Sequence, residues 1–116
     1  MLNNLREQIY GACVATGVDV YDYWETEAEF PYIINYSVDA EDINYKDIRA
    51  TQYTFEIHIF DKNNGKITVL NLIDALRTAF YSLDLSVANK EFSQMVTDDK
   101  EPNVVHGIVT IRLLQY

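Results

Sequence analysis

The sequence predicts an α+β domain, an antiparallel β-sheet of four to five strands packed against two α-helices, and three observations carry that prediction. From Thr51 to Phe60 the residues alternate: Tyr53, Phe55, Ile57 and Ile59 share one side, and Gln52, Thr54, Glu56 and His58 share the other. That is the period of a strand with one buried face. After Asp61-Lys62-Asn63-Asn64-Gly65 the period changes, and Val69, Ile73, Leu76, Phe80 and Leu83 fall at spacings that stack them along one side of a helix. Leu2, Leu5, Ile9, Ala12 and Cys13 make a second stripe of the same kind near the N-terminus.

Taken in order, residues 2 to 16 read as the first helix, with Gly17 as its stop because glycine accepts the left-handed conformation that ends many helices. Val18 to Tyr23 alternates as a short strand. Trp24 to Phe30, carrying Glu25, Glu27 and Glu29, reads as an acidic loop closed by Pro31. A strand follows with Tyr32, Ile34, Tyr36 and Val38 on one face; proline at its start removes only an edge donor. Asp39 to Arg49 shows no period and reads as a long acidic connection, mobile before assembly, of the sort that often carries function. The strand of Thr51 to Phe60 comes next, then the helix from Lys66 or Ile67 to Ser82, whose apolar side Leu70, Leu72 and Ala79 widen. Leu83 to Lys90 reads as a connector. Two last strands, Phe92 to Thr97 and Val104 to Leu114, flank Asp98 to Asn103, and the length of the second marks it as central or as a meander partner. The chain reads as a single domain, 1–116, of a size suited to one core.

Composition bounds the chemistry. Nine basic residues against 18 acidic ones give a formal charge of −9, and scattered single cations do not make a phosphate grip. No apolar run approaches the roughly 20 residues that span a membrane, and Glu7 interrupts the place of a secretion signal, so the expectation is a soluble, intracellular protein with no membrane partner. The single cysteine, Cys13, lies on a helix stripe and reads as core. His58 and His106 each stand alone in a predicted strand, no glycine-rich phosphate loop occurs, and neither Asp98-Asp99 nor Glu41-Asp42 resembles a calcium loop. No catalytic, metal or cofactor residues are therefore assigned. Nine tyrosines in so short a chain point instead to surfaces that meet other surfaces.

The N-terminal helix, the aromatic-acidic segment leading into Phe30-Pro31-Tyr32-Ile33-Ile34, the strand Tyr53 to Phe60 ending in Asp61, the helix bearing Leu72-Ile73-Asp74-Ala75-Leu76 and a last strand entered through His106 together resemble the tail-terminator or tail-completion family of long-tailed bacteriophages. The resemblance covers nearly the whole chain in order. It implies a virion protein, assembled in the host cytoplasm, that forms a hexameric ring at the end of the tail tube. That ring stops tube growth and offers a face to the head connector or completion protein. DNA would pass through its hole without specific binding, and the family has no catalytic residues to carry over. Contacts with sibling subunits and the tube protein are expected at Trp24, Glu25, Glu27, Glu29, Tyr32, Glu41, Asp42, Tyr45, Asp47, Gln52, Glu56 and His58. The alternative is a small acidic interaction protein, or DNA mimic, that occupies a nuclease or regulator; a third reading is an α+β enzyme working through His58 or His106.

Overall fold

The computed structural model describes residues 2–21, 29–45, 47–62, 65–85, 89–99 and 104–116. The elements run α1 (Leu2–Val14), β1 (Asp19–Tyr21), β2 (Tyr32–Tyr45), β3 (Ile48–Lys62), α2 (Lys66–Tyr81), β4 (Asn89–Asp99) and β5 (Val104–Gln115). The five described strands form one sheet in the order β1-β2-β3-β5-β4. Only the β1 and β2 pair is parallel; β2 with β3, β3 with β5 and β5 with β4 are antiparallel. β3 is thus the central strand, and β5 is an interior strand that pairs with β3 on one side and β4 on the other, within the central or meander place that its length predicts.

Both helices lie on one face of the sheet. Alternation along β3 turns Tyr53, Phe55, Ile57 and Ile59 toward them, and β5 adds Val105, Val109, Ile111 and Leu113. From α2, Val69, Leu72, Ile73, Leu76 and Phe80 close the layer, and Leu5, Ile9, Ala12 and the fully buried Cys13 of α1 complete it. Fully burying a side chain of this kind is worth about 1.5–3 kcal/mol, so this layer is the main stabilising term. The sequence stripe of α2 is therefore its buried face, and α1 packs along its flank; Leu70, which widens the stripe, stays 36% exposed.

Two glycines set local geometry. Gly107 of β5 pairs with Ile59 and lies under α2, where a Cβ atom would stand 2.8 Å from Val69 Cγ1 and 3.1 Å from Ile73 Cδ1. The missing side chain lets the helix rest directly on the sheet. Gly17, at φ 89°, ends the turn after α1, in keeping with its predicted role.

The segment from Asp39 to Arg49 departs from expectation. It is not a loop: β2 continues through it to Tyr45, and β3 begins at Ile48. Asp39 pairs with Thr54, Glu41 with Gln52, Ile43 with Ala50 and Tyr45 with Ile48, so the two strands make an arm that β5 still backs from Thr51 to Thr54 and that is two-stranded only where Ile43 to Tyr45 meets Ile48 to Ala50. The missing period has a physical cause. Alternation appears only where one face is buried, and in the arm Asp39, Ala40, Glu41, Asp42 and Asn44 are all exposed. The register also shifts between Ser37 and Asp39, a bulge that exchanges the faces of all later residues. The arm helps to draw the molecule out to 50 × 25 × 22 Å.

Candidate functional site

Two surfaces stand apart from the core: the arm, and the sheet face opposite the helices. The arm is acidic. On its helix side Thr51 Oγ1 donates to Asp42 Oδ1 at 3.2 Å, and a groove of about 650 Å³ is lined by Asp42, Asn44, Asp47, Arg49, Thr51 and Tyr116. β1 pairs with β2 only from Tyr32 to Ile34, so among the described residues no strand lies on the outer edge of β2 beyond Ile34. Such an edge leaves backbone donors and acceptors facing outward.

The opposite face carries an aromatic row set by register. Tyr32, Phe60 and His106 are consecutive cross-strand neighbours on β2, β3 and β5. Tyr32 stacks on Phe60 with centroids 5.0 Å apart and Phe60 on His106 at 4.3 Å, while Tyr21 meets Tyr32 edge-on at 6.2 Å and Phe30 meets it at 5.5 Å. Burial, with Tyr21 a lesser cause, holds the Tyr32 hydroxyl above its ordinary value.

Beside the row lies a polar chain. His58 Nε2 is 2.9 Å from Glu56 Oε1, and His58 Nδ1 is 2.6 Å from His106 Nε2, the two imidazoles being stacked with centroids 4.9 Å apart. His58 is buried, and its affinity for a proton is lowered by that burial, against the pull of Glu56 in the other direction. The expectation of two solitary histidines is therefore corrected. His58 pairs with Ile108 and His106 with Phe60, so the antiparallel register makes the histidines diagonal neighbours on one face.

Of the residues named from the sequence, the structure brings Tyr32, Glu56 and His58 together on this face, with Gln52 further along it toward the arm. Glu41, Asp42 and Asp47 are exposed in the arm, and Glu29 is exposed just before β2. Tyr45 has its backbone in β2, and its side chain lies outside those described. Trp24, Glu25 and Glu27 lie outside the described residues. Sequence reasoning missed Phe60, His106 and Tyr21 as parts of one cluster. The signal was half present: both histidines stand on the polar side of an alternating strand, but the register joining strands so far apart is not written in either one.

The fold is shared with a chain in the virion of a native gene transfer agent (GTA) particle, which is 17% identical, with 94% of this chain and 92% of that one covered and a TM-score of 0.71. The class is thus an α+β domain of a kind found in an assembled particle. The family model described as Tail completion protein gp17 matches residues 1–116, and the chain belongs to that family. It is a structural protein of a phage tail. No curated protein matches the chain.

Proposed function

We propose that the chain works as a ring of identical subunits, a hexamer in the virion, that caps the tail tube, ends its polymerisation and presents the surface to which the head joins. The observation that carries this reading is the arm. Two strands run past the helices with acidic residues on both of their faces, and among the described residues nothing in the chain covers the outer edge of β2. At the tip of the arm, where Ile43 to Tyr45 pairs with Ile48 to Ala50 and β5 no longer reaches, only two strands remain, and such a ribbon is marginal in water, so contact with another chain is its natural support. The occupants of that contact are the neighbouring copy and the tube protein. The residues proposed for the arm's contact are Glu41, Asp42, Tyr45 and Asp47, and those proposed for further contacts with sibling subunits and the tube are Trp24, Glu25, Glu27, Glu29, Tyr32, Gln52, Glu56 and His58.

Charge supports the same reading. A ring built from subunits of formal charge −9 repels phosphate, so DNA slides through its hole and is not held there. The head connector or completion protein would meet the ring on the face away from the tube, after assembly in the host cytoplasm. The test is an assembly assay with the tube protein, read by native mass spectrometry and negative-stain microscopy. Closed rings at tube ends and a limited tube length are expected. A chain that stays monomeric with tube ends present, and tubes that grow to unlimited length beside it, would end the reading.

A further inference from the structure

The two edges of the sheet differ in kind. At β2 the edge beyond Ile34 is broken by the bulge between Ser37 and Asp39, and acidic Asp39, Glu41 and Asp42 follow it, so it rejects any strand not matched to its charge. β4 forms the other edge and has no such guard along its middle. Its register with β5 runs unbroken from Asn89 to Asp99, it holds no proline or glycine, and from Phe92 to Thr97 it carries no charge. Among the described residues nothing lies on its outer side, and Ser93, Gln94 and Met95 are exposed. A long, regular, uncharged edge is a template for another strand.

We propose that the strand this edge takes is β4 of a second copy of the chain, antiparallel about a twofold axis through Gln94, so that two chains share one continuous sheet with their helices on one face. The strand is self-complementary at that register. Gln94 is the midpoint of Asn89–Asp99, so an axis there pairs the whole strand, and any other leaves residues over. Phe92 packs on Phe80 of α2 with centroids 5.8 Å apart, which puts Lys90, Gln94 and Val96 on the helix side with it. On that side Phe92 meets the second copy's Val96 and Lys90 meets its Asp98, and the axis makes each pair occur twice. Lys90 Nζ donates to Leu83 O at 2.7 Å and keeps two hydrogens for a carboxylate across the contact. Gln94 meets itself: its Oε1 accepts from Arg77, and its amide hydrogens are left to bridge the copies. On the other side of the sheet Ser93 meets Met95. An axis through Met95 instead would set Phe92 against Asp98 and Glu91 against Asp99, and one through Ser93 would set Lys90 against Val96.

Charge selects this occupant over the arm of a second copy. The arm would bring Asp39, Glu41 and Asp42 to a strand that already holds Glu91, Asp98 and Asp99 against the single cation Lys90. When β4 meets β4, Lys90 faces Asp98, Glu91 faces uncharged Thr97 and Asp99 faces uncharged Asn89, so no charge of the strand meets its like. Such a contact is isologous and uses up the edge on both chains, so association through it stops at two and builds no ring. The pairing is therefore a state of the free chain, covering an edge that would otherwise template aggregation, and it does not depend on the arm or on the ring.

The test is analytical ultracentrifugation of the chain alone over a dilution series, with no tube protein present. A species of twice the 13.4 kDa of one chain is expected, falling to a single chain on dilution, with nothing larger. Register is read at two exposed side chains. Ser93→Lys with Met95→Lys sets lysine against lysine twice and should weaken the dimer at least about tenfold, although it lowers the net negative charge that opposes association. Ser93→Glu with Met95→Lys sets opposite charges at the same places and should restore the dimer. Circular dichroism checks that both variants keep the fold, and the wild-type dilution series decides the matter alone should either fail to. Asp42→Lys with Asp47→Lys should leave the dimer unchanged, so this pairing and the arm's contact are read separately. A wild-type chain that stays monomeric up to its solubility limit would overturn the proposal. So would a species larger than two chains, or equal weakening by both paired substitutions at 93 and 95.

Discussion

Gly107→Ala tests whether α2 truly rests on the bare backbone of β5. The new Cβ would lie 2.8 Å from Val69 Cγ1 and 3.1 Å from Ile73 Cδ1, where carbon atoms settle at about 3.5–4.0 Å. Val69 and Ile73 are both fully buried, so neither side chain has free space to turn into, and the helix must lift by several tenths of an ångström. Overpacking of this sort costs about 1–3 kcal/mol, and the reduced freedom of the unfolded chain returns about 0.4–1 kcal/mol. The net loss should be about 1–2 kcal/mol, which for a chain of 116 residues lowers Tm by roughly 4–8 °C. Urea denaturation followed by circular dichroism measures it. Adding Val69→Ala should make the two changes strongly non-additive, because the atom that clashes is gone. An unchanged or raised midpoint in Gly107→Ala, or strict additivity in the double variant, would refute the close approach.

Three further outcomes follow from the same structure. Asn35 is fully buried, paired with Ile57, and its Oδ1 and Nδ2 have no partner among the described residues; Asn35→Leu, of similar size, should raise stability by about 1–3 kcal/mol, and a loss instead would show that the amide is satisfied in solution. His58 resists a proton when folded and accepts one near its ordinary value of about 6.5 when unfolded. Below that pH the unfolded chain binds more protons, so stability should fall as the pH drops from 6.5 toward the lower folded value, and His58→Gln should flatten the urea midpoint across that window. An equal slope in both proteins would contradict the assignment. In the arm, Asp42→Lys with Asp47→Lys should leave the urea midpoint within about 0.5 kcal/mol of wild type, since both residues are exposed, while tube capping is lost; normal capping by this variant would remove the arm from the interface.

The α+β class, both helices and the cores of the four longer strands are legible in the residues because each element buries one face, and burial imposes a period. Tyr53 to Ile59 and Val69 to Phe80 announce themselves in this way. The arm was illegible for the converse reason: Asp39 to Asn44 buries little on either side, so no pattern is imposed, and a bulge at its root exchanges the faces. Acidity alone then reads as a loop.

The candidate site divides along the same line. Local periodicity by itself determined that Glu56 and His58 share the polar side of one strand and His106 the polar side of another. That these strands are neighbours, and in a register that sets His58 Nδ1 2.6 Å from His106 Nε2 and lays Phe60 between Tyr32 and His106, only the tertiary structure decided. Register comes from how the whole buried face of β3 fits that of β5 beneath α2, a sum over residues distant in the chain. No stretch of the sequence carries that sum alone.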